Sequence, residues 1–317
     1  MRWMVASAIL SASVGSVSAV EMKCPRITVV VPYTAGGATD VASRLVASAM
    51  EPLIKKSIVI ETRTGATGNI GTAYVATSPP DGCTLLVNGA VMATYAHSFK
   101  KLSYDPIKDL VAVGSIGVTP TMLVTSNKEM KNVQDLIAWS KRRPDGLSYG
   151  SAGYGLLHHL AVEEIAEKTK SRLVHVPYRG GGSATIDLTT GRLDFGSFAF
   201  GSVVSFTNAG SLQMIAVLQD KRSPLAPNVP SISEQGFPGL DAGIHFMMFA
   251  PSATPKHVVD YLSDTLAKVV ADPSLTQRFA AIGFDPIPLN SREAGEIVQK
   301  TGADWAPVIK RLNIALD

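Results

Sequence analysis

Residues 26–40 read Arg26-Ile27-Thr28-Val29-Val30-Val31-Pro32-Tyr33-Thr34-Ala35-Gly36-Gly37-Ala38-Thr39-Asp40: a β-branched run, a turn rich in glycine and hydroxyls, and the opening of a helix. Valine, isoleucine and threonine are stiff at χ1 and suit a pleated strand, and a run apolar throughout suits a strand covered on both faces. Residues 40–55 carry their apolar side chains at helical spacing, so the stretch predicts strand, loop and helix in that order. The same grammar repeats outward. Strands are predicted at 57–61 and 83–87, with a helix over 70–77 between them that stops at Pro79-Pro80-Asp81-Gly82. A parallel, doubly wound α/β sheet is the predicted fold class.

A second set of units follows Thr125. Helices are predicted at 133–141, 156–169 and 183–190, and strands at 147–149, 173–176 and 212–218. The apolar stretch 244–250 precedes Pro251 and Pro255, and a long helix at 256–271 and two further helical patterns complete the chain. The reading is two lobes joined by two crossover segments. Lobe one is discontinuous, 20–122 and 247–317, and lobe two spans 123–246; the paired crossings are hinge candidates.

Composition bounds the function. The 317 residues are 46% apolar and 17% charged, in the range of folded globular chains. Lys+Arg 29 against Asp+Glu 26 gives +3, which supplies no basic footprint for nucleic acid. Met1-Arg2, the apolar residues 3–10 and Val17-Ser18-Ala19 match a signal peptide cleaved after Ala19, so residues 1–19 are expected to be removed and the protein exported. Removal deletes only Arg2 among charged residues, leaving +2.

Three strand ends run into loops of glycine and hydroxyl residues that each precede a helix: residues 32–40, Ser151-Ala152-Gly153-Tyr154-Gly155, and Pro177-Tyr178-Arg179-Gly180-Gly181-Gly182-Ser183. Ligands of open α/β sheets sit beyond the carboxyl ends of the strands, where helix N-termini present unpaired N–H groups and partial positive charge. Hydrogen bonds to an anion contribute about 1.5–3 kcal/mol each and a helix terminus roughly 0.3–1 more. Three or four such donors reach micromolar affinity, about −8 kcal/mol, without a lysine or arginine. Asp40 is read as a helix cap before a ligand contact, and Arg179 equally as an acid-neutralising group or a solvated loop charge.

Other chemistries are weak. Gly146-Leu147-Ser148-Tyr149-Gly150 fits G-x-S-x-G, but Ser148 falls in a predicted strand where a nucleophile elbow needs a turn; a secreted serine hydrolase using Ser148 is the alternative from another class. No H-E-x-x-H occurs, His158 and His159 are adjacent and cannot share one helix face, and neither a G-x-x-x-x-G-K-[ST] nor a well-placed G-x-G-x-x-G is present, so neither metal nor cofactor is expected. Cys24 and Cys83 start strands that neighbour each other in the common doubly wound order; a disulfide and two buried thiols both remain open.

The ordered landmarks Val31-Pro32-Tyr33 with Gly36-Gly37 and Asp40, Gly68-Asn69-Ile70-Gly71, Pro80-Asp81-Gly82, Tyr104-Asp105-Pro106, Ser151-Ala152-Gly153, His159-Leu160, Val174-His175-Val176-Pro177-Tyr178, Gly191-Arg192-Leu193-Asp194 and Val229-Pro230-Ser231 carry a resemblance. Over nearly the whole mature length the chain resembles the Bug-type extracytoplasmic solute receptors of tripartite tricarboxylate transporters. The resemblance implies a two-lobed type II periplasmic binding protein fold, a periplasmic and monomeric receptor without catalysis, a small organic acid as ligand, and transporter membrane subunits as partners; a solute sensor for a membrane signalling partner is the variant reading. It carries ligand contact onto Tyr33, Thr34, Gly36 and Gly37 in lobe one and Ser151, Ala152, Gly155, Pro177 and Tyr178 in lobe two, with Asn88 and Ala90 as wall residues. Where the family often has Gly-Asn-Gly-Ser-Thr-Thr-His, this chain has Gly153-Tyr154-Gly155-Leu156-Leu157-His158-His159, and Phe198 and Ala199 stand where the family frequently shows Asp or Asn. These departures predict a more apolar pocket, suited to an aromatic or weakly polar acid; the alternative is that Leu156 and Leu157 pack inward against the lobe core and leave selectivity unchanged.

Overall fold

The computed structural model describes residues 22–36, 38–178 and 180–316. The signal peptide expected at 1–19, Gly37 and Arg179 lie outside the described residues.

Chain order begins β1 (Arg26–Val31), α1 (Ala38–Ile54), β2 (Ser57–Thr62), α2 (Asn69–Ala76), β3 (Thr84–Gly89), α3 (Tyr95–Ser98) and β4 (Leu110–Thr119). It continues with β5 (Thr121–Thr125), α4 (Val133–Arg142), β6 (Leu147–Ser151), α5 (Leu157–Thr169), β7 (Leu173–Pro177), α6 (Gly181–Thr189), β8 (Phe195–Ala199), α7 (Phe200–Asn208) and β9 (Gln213–Val217). Last come β10 (Ile244–Pro251), α8 (Lys256–Val270), α9 (Pro273–Ala281) and α10 (Ser291–Arg311). Two five-stranded sheets result, ordered β2-β1-β3-β10-β4 and β7-β6-β8-β5-β9.

Both sheets are mixed, which corrects the expectation of a parallel sheet. In the first, β10 runs antiparallel to β3 and β4; in the second, β5 runs antiparallel to β8 and β9. The reason is the crossing itself. Each antiparallel strand has just arrived from the other sheet, entering at the carboxyl ends of the parallel strands, and so descends where they rise. β4 and β5 are separated by Pro120 alone. On the return, Ala242 still bonds the second sheet through its N–H to Leu218 O, while Ile244 pairs with Thr119 of β4. Thr121 and Met122 therefore belong to the second sheet and Ile244 to Phe246 to the first, two or three residues from where the sequence places the crossings.

The apolar run in β1 is explained by burial on both faces. Val29, with Leu85 and Val113, packs on Val46 and Met50 of α1 and Leu262 and Leu266 of α8. Val30, with Leu86, Met247 and Phe249, packs on the opposite side with Val75 of α2 and Ala294 and Val298 of α10. The second sheet repeats this: Leu123, Tyr149 and Phe195 face α4 and α5, and Met122, Val124 and Phe198 face α6 and α7. Cys24 and Cys83 form a disulfide, their Cα atoms 6.0 Å apart at the ends of β1 and β3 remote from the crossings.

Candidate functional site

The carboxyl ends of β1, β3, β6, β7 and β8 all point to the edge where the chain crosses between sheets, so the three predicted loops lie at that edge, the two of the second sheet joined by backbone hydrogen bonds. In lobe one, Asp40 is not the residue that caps α1 from outside; it lies in the first turn, 3% exposed, and reaches back to accept the Gly36 N–H at 3.0 Å. Arg44 one turn on clasps both its oxygens at 3.0 Å. Burial pushes the Asp40 carboxyl up, but the Arg44 bonds and charge together with the Gly36 amide outweigh it and hold the group below the ordinary carboxylate range. The loop thus presents a neutralised pair beneath an exposed Thr34 and Gly36.

Tyr33 Oη donates to Asn88 Oδ1 at 2.9 Å, Asn88 Nδ2 donates to Thr72 Oγ1 at 2.9 Å, and Thr72 Oγ1 donates to Gly68 O at 2.8 Å. Asn88 is fully buried and its oxygen also takes the Gly89 N–H, so it braces the wall by holding Tyr33. Ala90 is buried too, at the start of a 3-10 turn over Ala90–Thr94.

In lobe two, the loop from β6 to α5 is tied down from several sides. Ser151 is buried, with Oγ 2.7 Å from His175 Nε2 of β7 and 3.1 Å from Gly153 O. Ser151 O accepts the Tyr178 N–H, Ala152 O accepts the Gly180 N–H, and the Gly155 N–H donates to His159 Nδ1 at 3.0 Å. Tyr178 turns its hydroxyl onto Asp187 of α6 at 2.7 Å, and Pro177 is exposed on the edge strand. Leu156 and Leu157 are buried in the α5-side core and Phe198 in the α6-side core, so these three do not make the cleft apolar, contrary to the sequence expectation. Their side chains turn inward because the first turn of α5 and strand β8 have a sheet face to cover.

The lobes touch across this edge. A Cβ on Gly153 would lie 3.6 Å from Thr67 Cγ2 of lobe one, and one on Gly155 3.2 Å from Leu316 Cδ1. Arg311 of α10 pairs with Glu167 of α5 at 2.7 Å and with Glu164. A separate concavity of about 620 Å³, lined by Ser252, Lys256, Asp260 and Ser291 among others, lies at the far end of β10, away from these loops.

Three imidazoles near the loop are held neutral. Burial depresses His158 to about 4 and His175 to about 4, and burial with the nearby His175 depresses His159 to about 3. An unfolded chain takes up these protons near pH 6.5, so between that value and about pH 4 the unfolded state binds more protons and stability falls as pH drops. The expected slope is at most roughly 1.4 kcal/mol per pH unit for each buried ring and less for half-buried His175. Urea unfolding at stepped pH measures it, and His158→Leu should flatten the curve; an unchanged slope in that variant refutes the assignment to His158.

Ser148, the G-x-S-x-G serine, lies inside β6, with N–H and Oγ on Asp194 Oδ2 at 2.8 and 3.0 Å; Asp194 is in turn paired with Arg143. A carboxylate in an ion pair is no general base for an acyl-transfer nucleophile, which needs a positioned imidazole or equivalent. Sequence reasoning missed His175 as the partner of Ser151, since 24 residues and a helix separate them. Among the described residues there is no group of three or more His, Cys, Asp or Glu able to hold a metal, and no helix long and apolar enough to cross a membrane.

Residues 42–314 match the family described as tripartite tricarboxylate transporter family receptor. The solved periplasmic binding protein BugD is 30% identical, over 91% of this chain and 98% of that one, with a TM-score of 0.82. The R. palustris protein Rpa4515, solved with adipate, is 32% identical over 90% and 96% of the two chains, TM-score 0.83. MatC from Rhodopseudomonas palustris, solved with bound malate, is 27% identical over 90% and 98%, TM-score 0.79.

Proposed function

The chain belongs to the tripartite tricarboxylate transporter receptor family, and from that premise we propose that it is an exported, periplasmic receptor that captures a small organic carboxylate between its lobes and delivers it to transporter membrane subunits. The observation that supports the reading is that glycine-rich loops at helix N-termini, α1 in one lobe and α5 in the other, both lie at the edge where the chain changes sheet. Such ends offer free N–H groups and partial positive charge to an anion.

Tyr33, Thr34, Gly36, Ser151, Ala152 and Gly155 border the proposed cavity. Gly36 and Gly155 serve by letting the backbone come close, because their own N–H groups are spent on Asp40 and His159. With Leu156, Leu157 and Phe198 withdrawn into the cores, short aliphatic dicarboxylates of the adipate and malate kind become the first candidates, ahead of aromatic acids.

The test is a thermal-shift series with adipate, malate, citrate, benzoate and nicotinate. A ligand at a hundred times its Kd stabilises the folded state by about 2.7 kcal/mol. Gly36→Phe is expected to abolish that shift. Gly36 has φ +80°, costing an L residue roughly 1–2 kcal/mol, but nothing lies within 4 Å of its Cβ position, so the unliganded variant folds. Absence of any acid-induced shift in the wild-type protein overturns the reading.

A further inference from the structure

The loop Ser151–Gly155 rests on two histidines from different elements. The rings of His159 (α5) and His175 (β7) stack with centroids 4.0 Å apart and planes 19° off parallel. Tyr154 covers His159 at 4.6 Å, and Tyr149 extends the stack beyond His175 at 4.8 Å and on to Phe195 at 5.3 Å. Each imidazole holds one end of the loop: His175 Nε2 meets Ser151 Oγ at 2.7 Å, and His159 Nδ1 accepts the Gly155 N–H at 3.0 Å.

The hydrogen bonds fix the protonation state. A nitrogen that accepts from an amide carries no proton, so His159 bears its hydrogen on Nε2, which faces Glu163 Oε1 at 3.8 Å. Glu163 is itself anchored by the Tyr149 hydroxyl at 2.6 Å. The titratable groups around the pair are thus Glu163 and the unpartnered His158 from α5, Tyr149 from β6 and Tyr154 from the loop; Glu164 and Glu167 are engaged by Arg311 of α10. An imidazolium at His159 would set an N–H against the Gly155 N–H, and two imidazolium rings 4.0 Å apart would repel.

We propose that the neutral His159–His175 stack is the positioning element of the carboxylate site: it fixes Gly155 and Ser151, and with them the course of the loop between, in the geometry that accepts the anion. The proposal rests on the function argued above. Neither ring touches the ligand. Preorganisation is their contribution, since a loop already held in its bound form gives up less freedom on binding.

Paired substitutions separate this role from packing. His159→Phe keeps a stacking ring and loses the acceptor, whereas His159→Asn loses the ring but keeps an acceptor oxygen near the position of Nδ1. His175→Phe and His175→Gln form the same contrast toward Ser151. Adipate, or the acid of the series above that gives the largest shift, is the probe. His159→Phe and His175→Phe are expected to weaken its binding about tenfold by calorimetry, the loss of about one hydrogen bond's worth of positioning, with His159→Asn and His175→Gln recovering most of it. In the unliganded wild-type protein, imidazole ¹⁵N shifts should show the neutral Nε2–H form of His159 at pH 7, and the Gly155 amide should be protected from exchange; His159→Phe should remove that protection.

Wild-type affinity in both phenylalanine variants, or a cationic or Nδ1–H ring in the ¹⁵N spectrum, overturns the proposal. If the wild-type protein binds no acid of the series, the receptor reading fails instead, and the ¹⁵N and exchange data still decide whether the clamp exists.

Discussion

Replacing Cys24 and Cys83 together by alanine is expected to lower the free energy of unfolding by about 4 kcal/mol while leaving carboxylate affinity unchanged. The magnitude follows from the 59-residue separation of the two cysteines and the entropy a cross-link of that span removes from the unfolded chain. For a fold whose total stability is on the order of 5–15 kcal/mol, that is a large share. The neutrality of affinity follows from position. The bond joins the approaches to β1 and β3, where Cys83 O accepts the Thr28 N–H, at the end of the sheet opposite Tyr33 and Asn88. Denaturant unfolding of the double variant, with and without adipate, measures both halves. A loss below about 1 kcal/mol contradicts the cross-link argument, and weakened binding contradicts the placement.

Gly201→Ala should destabilise the protein by about 1–3 kcal/mol, against the direction helix propensity gives. Gly201 is the second residue of α7, where propensity alone favours alanine by up to about 1 kcal/mol. Packing opposes it. A Cβ there would lie 2.4 Å from Ile282 O and 3.8 Å from Ala38 Cβ, both in lobe one. The first is a backbone atom and cannot swing aside, and its neighbour Gly283 packs against Gly201 in return, with φ +79°. Relief requires the lobes to separate at this point, so X-ray scattering of the variant should report a larger radius of gyration. Stability equal to or above that of the wild type would show that the lobes do not press together there.

Much of the architecture was legible because local pattern and tertiary demand agree. β1, β2, β3, β6 and β7 are short β-branched or aromatic runs between helices of clear period, and the structure keeps each close to its expected bounds. β5 and β8 are not among the predicted strands, and the directions of β5 and β10 were not legible, since strand polarity depends on where the chain re-enters a sheet and leaves no periodic trace. β4 escaped notice because Gly114, Ser115 and Gly117 interrupt its apolar run; Gly114 and Gly117 are there because Cβ atoms would strike Leu289 O and Asp285 O at 2.9 and 2.6 Å. At the candidate site, the loops were visible as glycine clusters ahead of helices. Their internal bracing was hidden: Asp40 to Gly36 is local, but Ser151 to His175 and Tyr33 to Asn88 join elements far apart in sequence. Leu156 and Leu157 misled for the same reason, because which way a first helical turn faces depends on the sheet beneath it.

The change of sheet at Pro120 and again at Gly243 limits how the halves can move. Residues on either side of each junction are hydrogen-bonded into one sheet or the other, and Thr121 Oγ1 donates to Ala242 O at 2.6 Å, lashing the two junctions together. Proline has its φ fixed by the ring, so rotation concentrates in ψ at Pro120 and the two torsions of Gly243. Two short crossings lashed side by side leave the halves few backbone torsions through which to change their relation, so little conformational freedom remains to be lost on the proposed capture of a ligand.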